Sequence, residues 1–268
     1  MRELDHLSEI YGNYDTFVID LWGVIHNGVK LNAKAIQAID ELKKNSKKIV
    51  FLSNAPRPSS EVIKFLLRMN MNKGHLSNVM TSGEAAMYAI NQNKFGKNFF
   101  HLGPDRDTNI FEKVKQNKTS IEKCNYILCT GLFDERETEI GWYKTFLKKH
   151  ISKRMVCTNP DLTVHRGEKE ELCAGYIAKI FEELGGEVIY YGKPYEEIYK
   201  MCFNKDEKVL AIGDNLRTDI KGANNLNLDC IFISHGVHRN EYNYVRELED
   251  LCKKYNVEAN FFQKELQW

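Results

Sequence analysis

The sequence predicts an α/β fold, a parallel sheet flanked by helices with a second α/β unit inserted into it. Three observations predict this. Short apolar runs suited to buried strands recur along the chain and end in polar residues: Thr16–Ile19 at Asp20, Lys48–Leu52 at Ser53-Asn54, Glu187–Tyr191 at Gly192-Lys193, and Lys208–Ile212 at Gly213-Asp214. Helical periodicity separates them, as right-handed crossovers between parallel strands require. The long stretch between the second and third of these runs carries a strand–helix alternation of its own.

Taken in order, Met1 to Tyr14 reads as a short leading helix, followed by the strand to Asp20 and a turn on Gly23 and Gly28. Ala35, Ile36, Ile39 and Leu42 have helical spacing and predict a helix over 33–45. The strand to Asn54 leads through Ala55-Pro56-Arg57-Pro58, a rigid loop, into a helix that runs to about Met69. From Glu84 the inserted unit begins, with strands expected at 98–103, 125–131 and 154–161 and helices near 84–92, 107–115 and 137–149. A helix over Glu170–Leu184 is stopped by Gly185-Gly186. The sheet pattern resumes at Glu187, with further strands ending at Asp214 and Gly236, and the remainder reads as helical and charged. The expected division is a discontinuous core, 1–83 with 187–268, around an insert at 84–186.

At 268 residues and 43% hydrophobic, the chain can bury a large core. A formal net charge of +1 gives no support for a nucleic-acid or membrane partner. The seven cysteines show no C-x-x-C pair and sit in apolar segments, which favours a reducing compartment. The N-terminus is charged, without the apolar core of a signal peptide. No apolar run approaches the ~20 residues of a membrane helix. A cytoplasmic protein is expected.

In an open parallel sheet, ligands bind beyond the carboxyl ends of the strands. Asp20, Ser53-Asn54, Lys193 and Asp214-Asn215 with Asp219 would converge there. These residue types suit phosphoryl transfer to a carboxylate: one acid attacks phosphorus, further acids hold magnesium, and a hydroxyl, a lysine and backbone amides neutralise the phosphoryl oxygens.

Asp20-x-x-Gly23-Val24, Ser53-Asn54, Gly192-Lys193-Pro194 and Gly213-Asp214-x-x-x-Thr218-Asp219 resemble the four motifs of the haloacid dehalogenase superfamily. Thr158-Asn159-Pro160-Asp161 and the Cys173-Ala174-Gly175 helix resemble its class IIA cap, in the nitrophenylphosphatase- and NagD-like branch. The resemblance implies a Rossmann-like core and an inserted C2-type cap. It also implies roles. Asp20 would be the phosphate-accepting nucleophile and a Mg2+ ligand, joined by the Trp22 backbone carbonyl and Asp214, with Asn215 and Asp219 acting through water. Ser53 and Lys193 would serve the transferring phosphoryl group, and Trp22, Gly23, Asn54, Asn159, Pro160 and Asp161 would line the substrate site.

One position departs from the pattern. Phosphatases of this superfamily usually carry a second Asp two residues after the nucleophile, as general acid and base. Trp22 stands there, and an indole N–H has no useful acidity. Three readings stay open: a magnesium-dependent phosphohydrolase of small phosphorylated metabolites, restricted to good leaving groups or recruiting another acid or base; a phosphotransferase with a slowly decaying phosphoenzyme; and a non-catalytic binder of a phosphorylated ligand. His26 is the nearest titratable candidate for the missing group, against a plain loop histidine, and His165 in the cap is a weaker one. Arg166 reads as a contact to a second anionic group or as a surface arginine. A sheet edge in the cap is a candidate homodimer contact.

Overall fold

The computed structural model describes residues 1–268. In chain order the elements of the first segment are β1 (Arg2–Glu3), β2 (Thr16–Ile19), α1 (Ala33–Lys44), β3 (Lys48–Ser53), α2 (Ser59–Arg68), β4 (Val79–Thr81) and α3 (Ser82–Asn91). Next come β5 (Phe99–Leu102), β6 (Tyr126–Cys129), α4 (Ile140–Lys148), β7 (Arg154–Cys157), β8 (Thr163–Arg166), β9 (Lys169–Leu172), α5 (Ala174–Glu183) and β10 (Glu187–Tyr190). The chain closes with α6 (Glu196–Tyr199), β11 (Val209–Gly213), α7 (Lys221–Asn225), β12 (Asp229–Ile233), α8 (Leu248–Lys254) and β13 (Phe261–Gln263).

Seven strands form a parallel, Rossmann-like core sheet in the order β1-β13-β12-β11-β2-β3-β4. Every residue of β2 is buried, as a central parallel strand covered on both faces must be. Helix α1 shows how the flanking layers form. The Asn32 side chain accepts from the Lys34 and Ala35 amides and caps the helix start. Ala35, Ala38, Ile39 and Leu42 recur at spacings of three and four, so one face is apolar and packs with Phe17, Ile19 and Phe51 of the sheet. Burial of each such Ile or Leu contributes ~1.5–3 kcal/mol.

A second parallel sheet, β10-β7-β6-β5, has its own core around Ile127, Met155, Ile177 and Phe181. Beside it β8 and β9 form an antiparallel hairpin.

Four sequence expectations change. Residues 1–14 contain β1 and two single 3-10 turns at Leu7–Glu9 and Tyr11–Asn13, not a helix. The buried Leu4, Leu7 and Ile10 are spaced by threes, which fits the 3.0-residue turn better than an α-helix. Glu187–Tyr190, expected in the core sheet, pairs in register with Arg154–Cys157 of the second sheet. The return to the core therefore falls after Tyr190. Glu170–Leu172 is the end of a hairpin strand, and α5 begins at Ala174 behind Cys173. The C-terminal region ends in strand β13, whose Phe261 and Phe262 pair between β12 and β1. No helix is long and apolar enough to cross a membrane.

Candidate active site

Strand order alone brings three of the predicted positions together. β2 lies between β11 and β3, so Asp20, Asp214 and Ser53 stand at adjacent carboxyl ends, about 5 Å apart per strand. The Asp20 amide donates to the Ile212 carbonyl at 2.8 Å, carrying the pairing one residue past β2. Gly23 has a φ of +91°, and a Cβ there would overlap the Asp214 carboxylate. Glycine therefore lets the turn after Asp20 press against Asp214.

Lys193 arrives differently from the expectation. It follows β10 of the second sheet and reaches the site from the crossing segment, where Asn54 receives it. The Asn54 Oδ1 accepts from the Lys193 amide at 2.8 Å and its Nδ2 donates to the Lys193 carbonyl at 3.1 Å. The Lys193 ammonium, 3% exposed, then donates to Asp20 Oδ1 at 2.5 Å, Asp219 Oδ1 at 2.6 Å and the Leu52 carbonyl at 2.9 Å. Asp219 also accepts from the Asn215 amide at 3.0 Å. Asp214 Oδ2 accepts from the Val237 amide at 2.7 Å.

Charge in this cluster is unbalanced. Asp20, Asp214 and Asp219 are buried, with carboxylate oxygens within 4.8 Å of one another. Burial pushes the Asp20 carboxyl up to about 8; Lys193 opposes this and Asp219 adds to it. Burial, then Asp20 and Asp219, raises Asp214 well above the usual carboxylate range. Burial disfavours the Lys193 ammonium, but Asp20 and Asp219 outweigh it and keep the lysine protonated. One ammonium thus serves a group of acids. The donor set is all hard oxygen and short of positive charge, which fits a hard metal cation.

The cavity above the cluster is about 620 Å³ and is lined from both sheets. Asp161 reaches down into it, its Oδ1 accepting from Asn54 Nδ2 at 3.2 Å, Asn215 Nδ2 at 3.2 Å and Thr218 Oγ1 at 3.1 Å. Burial raises its carboxyl to about 6, against the pull of Lys193. Asn159 holds the turn by accepting from the Asp161 amide at 3.0 Å. Pro160 is not among the lining residues; its carbonyl faces Gly175.

A profile of haloacid dehalogenase-like hydrolases matches residues 17–116, and a second HAD-hydrolase-like profile matches 190–253. The chain belongs to the haloacid dehalogenase-like hydrolases. Among curated relatives it is 26% identical to an acid sugar phosphatase of Staphylococcus haemolyticus, over 84% of this chain and 87% of the relative. It is 21% identical to the 5'-nucleotidase YutF of Bacillus subtilis, over 85% and 90%. A haloacid dehalogenase-like hydrolase from Brucella suis superposes over 99% of this chain and 100% of its own, with a TM-score of 0.85 at 28% identity. The p-nitrophenyl phosphatase from Archaeoglobus fulgidus shares the fold, with a TM-score of 0.72 at 18% identity over 94% and 96%.

Within this haloacid dehalogenase-like fold, the remaining sequence candidates separate. Ser53 is buried beside Asp20, and its Oγ accepts from the Ala55 amide at 3.2 Å, leaving its hydroxyl proton free. The Trp22 indole Nε1 donates to the His165 carbonyl at 2.8 Å, so this donor is not available to a substrate. His26 is 4% exposed, and its Nδ1 accepts from the Gly28 amide at 3.0 Å. Burial, helped by Arg166, lowers its pKa to about 4. That is the loop-histidine reading of His26. The Arg166 guanidinium pairs with Glu171 at 3.2 Å and lies 5.1 Å over the Trp22 ring.

Two further residues escaped the sequence reading. His238 Nε2 accepts from the Leu216 amide at 3.0 Å while Nδ1 meets Glu241 at 2.6 Å, steadying the turn after Asp214. Arg239 reaches the hairpin. Only the strand end at Ser234-His235-Gly236 signalled this loop, and nothing in its composition marks it as part of the site.

Proposed function

We propose that this protein is a magnesium-dependent phosphatase of small phosphorylated metabolites, working through a phosphorylated Asp20. The observation that carries the reading is the buried Asp20–Lys193–Asp219 chain beside Asp214, at the floor of a cavity wide enough for a metabolite. The relatives' names, an acid sugar phosphatase and a 5'-nucleotidase among them, support the same chemistry.

In this reading an Asp20 oxygen attacks phosphorus, and the bond from phosphorus to the leaving oxygen breaks. The departing oxygen takes a proton from solvent. Water then attacks phosphorus, the bond to Asp20 breaks and inorganic phosphate leaves. Lys193 holds the Asp20 carboxylate in place and keeps a fixed positive charge beside the phosphoryl group. Ser53 Oγ and the Asn54 amide are the remaining donors to its oxygens. Asp20, Asp214 and the Trp22 carbonyl would hold magnesium, with Asp219 and Asn215 through water; the ion supplies charge neutralisation for the phosphate. The unit spanning Glu84 to about Tyr190 is the specificity cap, contributing Asn159 and Asp161.

Trp22 cannot supply the general acid–base help that is typically worth ~10²–10⁴ in rate. Good leaving groups should therefore be preferred. Phosphate release from p-nitrophenyl phosphate, with and without magnesium, tests the proposal. Steady turnover that requires magnesium and vanishes in Asp20→Asn is expected. A burst of one p-nitrophenolate per enzyme, with the phosphate retained on Asp20 and no turnover, would instead select a phosphotransferase. No reaction across a panel of phosphate esters, with tight binding of one of them, would select a binding protein.

A further inference from the structure

Trp22 occupies the position two residues after Asp20, and its side chain is committed to the cap. Its Nε1 donates to the backbone carbonyl of His165 at 2.8 Å, and Arg166 lies over its ring at 5.1 Å. The ring is wedged in place. His26 meets it edge-on at 5.1 Å, and a Cβ on Gly28 would lie 2.5 Å from its Cζ2. The same hairpin tip is tied to the core at two further points. The Gly167 amide donates to the Asn27 carbonyl at 2.9 Å, and Arg239 donates to the Gly167 carbonyl and to Glu168, each at 3.2 Å. Trp22 and Asn27 belong to the loop that carries Asp20, whereas Arg239 comes from the loop that holds Asp214 through Val237. The β8–β9 hairpin thus rests on both loops that flank the acid cluster, and residues of both its strands line the cavity.

We propose that Trp22 is a positioning residue: it docks the 163–172 hairpin onto the nucleophile loop, and so fixes the wall against which the leaving group lies. This rests on the phosphatase reading for its consequence in catalysis, but the docking itself does not. An aspartate at this position is shorter than the indole and, when ionised, has no proton to donate to the hairpin carbonyl. The position that most of these enzymes are expected to use for proton transfer is here used to hold the cap.

The test uses the full chain and Trp22→Phe, which keeps a ring and removes the N–H. Hydrogen exchange of the hairpin amides, followed by mass spectrometry, needs no turnover. Exchange across 163–172 should rise roughly three- to tenfold, the size of one net hydrogen bond. Trp142→Phe, which alters a ring stacked on Phe146 within the second sheet's layer, should leave that exchange unchanged. With p-nitrophenyl phosphate and magnesium, KM should rise by a similar factor while kcat moves less. Trp22→Asp should loosen the hairpin further. Unchanged hairpin exchange in Trp22→Phe would overturn the docking role. So would a Trp22→Asp enzyme that gains activity on alkyl phosphates with its hairpin as protected as before. If the parent enzyme hydrolyses nothing, the exchange result still decides the docking role and only the function above falls.

Discussion

Removing Lys193 should expose how much of this fold's stability is tied to its acid cluster. Lys193→Met keeps the aliphatic stem and deletes the ammonium. Two ion pairs, 2.5 Å to Asp20 and 2.6 Å to Asp219, disappear along with the bond to the Leu52 carbonyl. The acids stay buried, Asp20 at 7% and Asp219 at 5% exposure. Breaking a buried pair from one side costs ~3–5 kcal/mol, against a total near 5–15 kcal/mol. For a chain of this size that corresponds to a fall in Tm of roughly 6–20 °C. The loss also has a pH sign. An acid whose folded pKa lies above its unfolded value binds more protons when folded, so stability falls as pH rises through that interval. Asp20, near 8 even with Lys193 present, would move further up without it. Urea titrations of both proteins at pH 5, pH 7.5 and pH 9, in EDTA, should show the variant's deficit widening once the pH passes the parent's Asp20 value of about 8. Millimolar magnesium should restore part of it, and should stabilise the variant more than the parent. A variant within about 1 kcal/mol of the parent in EDTA at pH 9 would refute the charge argument.

Three other outcomes follow from the same geometry. Glu207 is held at about 2: burial would raise it, but Thr16 and Lys48 hydrogen bonds outweigh burial. Its stabilisation is present above the ordinary Glu value near 4.5 and is lost as pH falls toward 2, so Glu207→Gln should cost roughly 1 kcal/mol at pH 7 after solvent screening and nothing near pH 2, by urea unfolding. Gly23→Ala, which must keep a positive φ and displace Asp214, should raise the magnesium concentration for half-maximal phosphate release at least tenfold by the order of one strained backbone position. Arg57 of the core loop pairs with the buried Asp107 beyond β5 at 2.5 Å, so Arg57→Ala should cost roughly 1–3 kcal/mol in chemical unfolding, with partial recovery in the double variant that adds Asp107→Asn.

The placement of the acids on the floor of the candidate site was legible because it follows from local rules. An apolar run ending in an acid, in a chain of alternating strands and helices, places that acid at the carboxyl edge of a parallel sheet. Asp20 and Asp214 obey this on neighbouring strands, and Ser53 stands at the end of the strand on the other side of Asp20. The strand Glu187–Tyr190 obeys the same pattern yet belongs to the other sheet, because an apolar run states that it will be buried and not against which partner. The antiparallel hairpin is missed for a different reason: Thr163–Leu172 is mostly polar and half-exposed, so neither face carries the apolar alternation that marks a strand.

Lys193 shows how a residue expected at the site can reach it by a different geometry. A lysine at the end of a core strand would be placed by sheet register. This one is placed by a side chain, since Asn54 bonds both its amide and its carbonyl and so takes the part of a neighbouring strand. Asn54 is therefore a positioning group for Lys193. The same carboxamide also reaches Asp161 of the cap loop. Core, crossing segment and cap thus meet at one residue. Displacement of Asp161 by an anionic ligand would be felt through Asn54 at the lysine that holds Asp20.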